Sequence, residues 1–152
     1  MKIAVGSDHA GFSLKEAVRA ELVRLGHEVT DVGTGSAAES VDYPDFAIPV
    51  AERVARGEAD LGVVVCATGI GVSIAANKVA GARASVVTSV DTARLTRADN
   101  DSNVLALGQK TAPSTGDALR WLRVWLETPY AGGRHDRRVQ KIRVYEDAHI
   151  RP

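Results

Sequence analysis

Leu61-Gly62-Val63-Val64-Val65-Cys66 constrains the fold more than any other stretch of the chain. No polar residue interrupts it, as expected of a strand covered on both faces. It ends on the only cysteine. The chain then turns through Ala67-Thr68-Gly69-Ile70-Gly71 into a short helix that runs on to Lys78. A thiol is thereby set at the carboxyl end of a strand, where open α/β sheets bind their ligands. The N–H groups that follow would form an anion site at a helix N-terminus.

The same strand-to-helix passage recurs along the sequence. Ile3 to Gly6 reads as a first strand, and Leu14, Ala17, Val18, Leu22 and Leu25 then repeat at helical spacing up to Gly26. Glu28 to Val32 is a second strand, and Gly33 to Val41 a small polar loop. Pro44 opens a helix that continues to Gly57, with Pro49 expected to bend its first turns. Asp60 to Cys66 is the third strand, Arg83 to Thr88 the fourth and Val104 to Leu107 the fifth. Helices are expected over Asp91 to Asn100 and Pro113 to Glu127. The tail from Gly132 reads as a basic, amphipathic final helix carrying Arg134, His135, Arg137, Arg138, Lys141 and Arg143. This alternation predicts a parallel sheet covered on both faces, with a flavodoxin-like strand order.

The 152 residues suit one domain, taken as 1–152. Lys plus Arg and Asp plus Glu number 19 each, so no net charge draws the chain to nucleic acid or to a membrane surface. A lone cysteine cannot make an internal disulfide, which suits a reducing cytoplasm. The first strand begins at once, so no signal peptide is expected, and no apolar run is long enough to span a bilayer.

A strand-end thiol facing a helix N-terminus has its thiolate form favoured, making Cys66 a usable base or nucleophile. A lone cysteine is more often a small buried hydrophobe, but the Thr68-Gly69-Ile70-Gly71 turn beside this one suits a ligand. Gly69 and Gly71 do not complete a dinucleotide fingerprint, and no nucleoside-triphosphate loop is present. A cysteine phosphatase needs an arginine where this chain has Val72. Asp8 and His9 follow the first strand and should face the same crevice. Asp8 alone would read as a helix cap, a job that does not call for the adjacent histidine. His27 reads as solvated and His149 as part of a frayed tail. No cluster has metal-ligand spacing, so no metal is expected. The basic tail suits phosphate recognition, against the commoner alternative of a solvated helix face.

These residues resemble the B-type ribose-5-phosphate isomerases, grouped with the galactose-6-phosphate isomerase subunits. The likeness is carried by Gly6-Ser7-Asp8-His9-Ala10-Gly11, Asp42-Tyr43-Pro44 and Cys66-Ala67-Thr68-Gly69-Ile70-Gly71 with Ile74-Ala75-Ala76-Asn77-Lys78. It continues through Asn100-Asp101-Ser102-Asn103-Val104-Leu105 and Gly132-Gly133-Arg134-His135 with Arg138. It implies a Rossmann-like three-layer αβα sandwich with a five-stranded parallel sheet. The C-terminal helix, from about residue 130, would reach a partner subunit in a homodimer, which in some members pairs into a tetramer. No cofactor is implied. Cys66 would move a proton between C1 and C2 of a phosphorylated sugar, with Thr68 assisting. The N–H groups of Ala67, Thr68, Gly69, Ile70 and Gly71 would hold the enediolate oxygen. Asp8 and Asn100 would contact substrate hydroxyls. His9, Arg134 and Arg138 would bind the phosphate, and Lys110 stands where the family usually has an arginine.

One departure changes the chemistry. The family normally has histidine where this chain has Asp99, and that histidine is credited with opening the sugar ring. A carboxylate of ordinary pKa, about 3.9, accepts a proton at neutral pH but donates one poorly. Asp99 could act as the ring-opening base with another group or water as acid, or the enzyme could rely on spontaneous opening. Alternatively, the substrate could be too short to close a ring, such as erythrose or erythrulose 4-phosphate, or Asp99 could simply solvate a helix end. The expected reaction is ribose 5-phosphate to ribulose 5-phosphate. The alternatives are a four- or six-carbon sugar phosphate, or a non-catalytic phosphate- or nucleotide-binding module.

Overall fold

The computed structural model describes residues 1–150. Five strands, β1 (Lys2–Ser7), β2 (Glu28–Asp31), β3 (Leu61–Cys66), β4 (Ala84–Val86) and β5 (Val104–Gly108), form one sheet. Every pairing is parallel. The helices are α1 (Phe12–Arg24), α2 (Pro44–Ala55), α3 (Ile70–Ala76), α4 (Val90–Asn100), α5 (Thr115–Glu127) and α6 (Asp136–His149). Short 3-10 turns at His9–Gly11 and Gly133–His135 lead into α1 and α6.

The strand order is β2-β1-β3-β5-β4, which corrects the flavodoxin-like order expected from the sequence. The last two strands have exchanged places. Burial explains it. β5 is buried at every position, whereas the three residues of β4 are all half-buried. A short strand carrying Ser85 suits the edge, and a continuous apolar run suits the interior.

Alternation along the strands divides the core into two layers. Ile3, Val5, Leu61, Val63, Val65, Leu105 and Leu107 face α1 and α5, where Leu14, Val18, Leu22, Leu122 and Trp125 meet them. The opposite face carries Ala4, Val64, Cys66, Val104 and Ala106 against Val50, Ala51, Val54, Val72 and Ala76. Small residues dominate this second face, so α2 lies close. A Cβ on Gly62 would come within 2.7 Å of Val50 Cγ1. Pro49 sits inside α2 without ending it. Ser114 caps α5 by accepting from the Asp117 N–H at 3.0 Å, which starts that helix at Thr115 instead of Pro113.

The final helix is only partly covered. Val139 is buried, while Ile142 and Tyr145 are 48% and 60% exposed. His149 belongs to this helix and stacks on Tyr145 at 4.3 Å between ring centroids, where a frayed tail was expected. His27, expected to be solvated, is half-buried, and that burial lowers its pKa.

Glu21 clamps α1 to α5. Its carboxylate accepts from Arg24 at 2.7 and 2.8 Å and from Arg123 at 2.7 Å. These bonds, chiefly the Arg24 bond, hold its pKa at about 2. The folded state therefore favours the ionised form, a stabilisation present above the ordinary carboxylate value and lost as pH falls toward 2. Glu21→Gln should cost about 1–2 kcal/mol at pH 7, after allowance for the exposed Arg24. Urea unfolding of both proteins should show that gap closing between pH 5 and about pH 2. A gap independent of pH would mean the clamp is not electrostatic.

Candidate active site

Two groups of polar residues lie at opposite edges of the sheet. The first gathers where β1, β3 and β5 end. Cys66, 5% exposed, closes β3 on the α2/α3 face. Its Sγ accepts the Gly69 N–H at 3.2 Å. Gly69 has φ +79°, a left-handed conformation that glycine adopts without strain, and this bends the chain back over the sulfur. The half-buried Thr68 accepts the Ile70 N–H through Oγ1 at 3.2 Å. Two of the N–H groups expected to hold an enediolate oxygen are thus engaged locally. Gly71, in the first turn of α3, has no partner within the helix for its N–H.

Asp8 is buried, and its Oδ1 accepts the Gly11 N–H at 3.0 Å. It is therefore the cap of the His9–Gly11 turn, with that oxygen committed. The turn is pressed against β3: a Cβ on Gly11 would sit 2.6 Å from the Val65 carbonyl oxygen and 2.9 Å from the Cys66 nitrogen. His9 Nδ1 is held by the Val41 backbone, 3.1 Å from its nitrogen and 3.2 Å from its carbonyl oxygen. Lys110 is exposed, and its backbone N–H donates to the Ala67 carbonyl at 2.8 Å. Asp8, His9, Lys110 and the Cys66–Gly71 turn are therefore neighbours at the carboxyl ends of β1, β3 and β5, with Ile70 exposed beside them.

Gly11→Ala tests that packing. Both opposing atoms are backbone and cannot swing aside, so the His9–Gly11 turn must lift away from Cys66. Turnover should fall by roughly 10–100-fold, since misplacement by about 1 Å costs that much. Unchanged kcat in a steady-state assay would show the contact to be slack.

The second group sits where β5 begins. Gly62 pairs with Val104 and Cys66 with Gly108, so β5 alone spans about 13 Å between the two edges. Asp99 and the exposed Asn100 end α4. The tail is joined to that end: the Ala131 N–H donates to the Ala98 carbonyl at 2.9 Å, and His135 Nε2 lies 3.4 Å from Asp99 Oδ1. Arg134 and Arg138 are exposed beside it, and Arg138 donates to the Arg134 carbonyl at 3.2 Å. Asp101, at φ +49°, holds the turn after α4 by pairing with Arg83 at 2.9 Å. One chain does not bring Asp99, Asn100, Arg134 and Arg138 to Cys66.

Two further residues, Tyr43 and His135, take their places through tertiary contacts. Tyr43 lies over the α3 turn, with its ring 2.8–3.0 Å from where a Cβ on Gly71 would be. It stood in the Asp42-Tyr43-Pro44 block, but nothing in that spacing tied it to Gly71. His135 stood in the basic tail and in the Gly132-Gly133-Arg134-His135 block without a role of its own, and its contact with Asp99 is a tertiary pairing. Among the described residues, no group of three His, Cys, Asp or Glu side chains could hold a metal ion.

An α/β sheet with an acid, a histidine and a thiol at its carboxyl edge is the kind of scaffold that binds small phosphorylated molecules. The Ribose/Galactose Isomerase family model matches residues 3–142, and the chain belongs to that family. It is 48% identical to Escherichia coli ribose-5-phosphate isomerase B over 145 residues, covering 95% of this chain and 96% of that protein. It is 42% identical to the putative sugar phosphate isomerase YwlF of Bacillus subtilis, over 99% of this chain and all of that one. The structure of Clostridium thermocellum ribose-5-phosphate isomerase B superposes with a TM-score of 0.94 at 49% identity, covering 98% and 99% of the two chains. The Mycoplasma genitalium enzyme with bound ribulose-5-phosphate gives 0.92 at 38% identity, covering 96% of each.

Proposed function

We propose that this chain interconverts ribose 5-phosphate and ribulose 5-phosphate by proton transfer through an enediolate. The observation that carries the reading is the Cys66 sulfur, set at the end of β3 under the Gly69 N–H and beside Thr68. Family membership narrows the chemistry to phosphorylated sugars.

In this reading Cys66 takes the proton from C2 of the open aldose and returns it to C1. The Gly71 N–H and the Thr68 hydroxyl face the oxygens on which charge develops. Preorganised donors of this kind contribute a few kcal/mol each to the transition state. Asp8 orients a substrate hydroxyl through its uncommitted oxygen. His9 and Lys110 take the phosphate, whose binding energy fixes the reacting end in place. Asn100, Arg134 and Arg138 reach the substrate from a second copy of the chain.

Two observations support that dimer. The second polar group lies at the wrong edge of the sheet to serve its own Cys66. Ile70 and Ile74 on α3, each 55% exposed, together with Ile142 and Tyr145 on α6, leave apolar surface that a second copy would cover. The whole of 1–152 acts as one domain in this reading. Among the described residues, no helix is long and apolar enough to cross a membrane, and we place the enzyme in the cytoplasm.

The deciding experiment is turnover of four-, five- and six-carbon sugar phosphates, together with deuterium incorporation from heavy water. The reading predicts that ribose 5-phosphate has the highest kcat/KM and that solvent deuterium enters the product. Nucleotide binding with no exchange into any sugar phosphate would leave a non-catalytic module instead. A clear preference for erythrose 4-phosphate would move the substrate to the four-carbon class.

A further inference from the structure

We propose that His135 is the group that opens the cyclic sugar phosphate, with Asp99 positioning its ring. The proposal rests on the isomerase reading above. His135 occupies the 3-10 turn between Gly132 and α6, and its Nε2 lies 3.4 Å from Asp99 Oδ1. The two side chains are 15% and 38% exposed, so the pair is partly shielded yet open to a ligand. The Ala131-to-Ala98 hydrogen bond fixes the turn against α4. Asn100, Arg134 and Arg138, already assigned to the substrate, surround the pair in sequence. The pairing uses Nε2 and leaves Nδ1 without a hydrogen bond among the described residues.

The chemistry calls for such a group. Ribose 5-phosphate closes into a furanose through O4, which masks the C1 carbonyl that isomerisation requires. O1 and O4 are both bonded to C1, so one nitrogen can serve both oxygens. Neutral His135 takes the O1 proton at Nδ1. As C1=O forms and the C1–O4 bond breaks, the same proton passes to O4. One proton has moved from O1 to O4, and no co-reactant is consumed. A carboxylate alone accepts such a proton but is a poor donor at neutral pH, whereas imidazole does both. The other histidines are placed elsewhere: His9 is bonded to Val41, His27 lies beside the amino terminus and His149 is stacked on Tyr145.

Ring opening can be read apart from isomerisation. In a Cys66→Ala protein the sugar is not isomerised, but α and β furanose anomers of ribose 5-phosphate still exchange whenever the ring opens. Magnetisation-exchange NMR should show exchange above the spontaneous rate. Adding His135→Ala should lower the catalysed part by roughly 100-fold or more, and free imidazole should restore part of it. Asp99→Asn should lower it by up to roughly 100-fold, the cost of a misplaced group, with partial recovery in Asp99→Glu. His135→Gln repeats the test if the alanine variant does not fold. No acceleration by Cys66→Ala protein, or full acceleration without His135, would overturn the proposal. A wild-type protein inert toward every sugar phosphate would instead overturn the isomerase reading.

Discussion

Replacing Cys66 with alanine should lower isomerase kcat by roughly 10²–10⁴-fold at a modest cost in stability, because in the proposed mechanism the change removes the base and little else. The thiol is small and 5% exposed, and its loss leaves a void about the size of one sulfur. The Gly69 N–H loses its acceptor, a cost of about 1–3 kcal/mol that water entering the crevice reduces. Cys66→Ser is the sharper variant. It restores an acceptor for Gly69 and nearly restores the volume, yet a hydroxyl is a far weaker proton acceptor than a thiolate. Serine should therefore recover stability without recovering turnover. Steady-state rates and thermal midpoints of the three proteins, measured together, check this. Turnover by the alanine protein within tenfold of wild type would remove Cys66 from the reaction.

The largest loss of stability should come from Trp125→Ala, at about 3–5 kcal/mol. Trp125 is fully buried in α5, and its indole N–H donates to Ser102 Oγ at 2.8 Å. The Arg97 guanidinium lies 5.6 Å from its ring and is itself bonded to the Ser102 carbonyl and to Asp101 at 3.4 Å. The tryptophan therefore fills the layer between the sheet and α5, and it also braces the turn that follows Asp99 and Asn100. Trp125→Phe keeps much of the packing but leaves the Ser102 hydroxyl buried without a donor, costing about 1–3 kcal/mol. Urea denaturation gives both values. The phenylalanine protein should also show raised KM if that turn carries Asn100 into a substrate site. A loss below 1 kcal/mol for alanine would mean that α5 is held by its other contacts.

The residue pattern alone makes the local elements and one half of the candidate site legible. A continuous apolar run ending on Cys66 reads as an interior strand, and the small residues after it as a tight turn. Asp8, His9 and Cys66 were legible as neighbours because parallel strands end at the same edge of a sheet. The β5–β4 exchange was not fixed by chain order: the short β4 with Ser85 and the apolar run of β5 hint at edge and interior, but only total burial in the packed sheet decides which strand takes which place. The Asp99–His135 approach was equally hidden. Those residues are separated by the whole of β5 and α5, and only the docking of the tail on α4 brings them together. Periodicity records which face of an element is buried. Tertiary packing alone decides which buried faces meet, because one apolar surface matches several others almost equally well until side-chain shape and polar pairing choose among them.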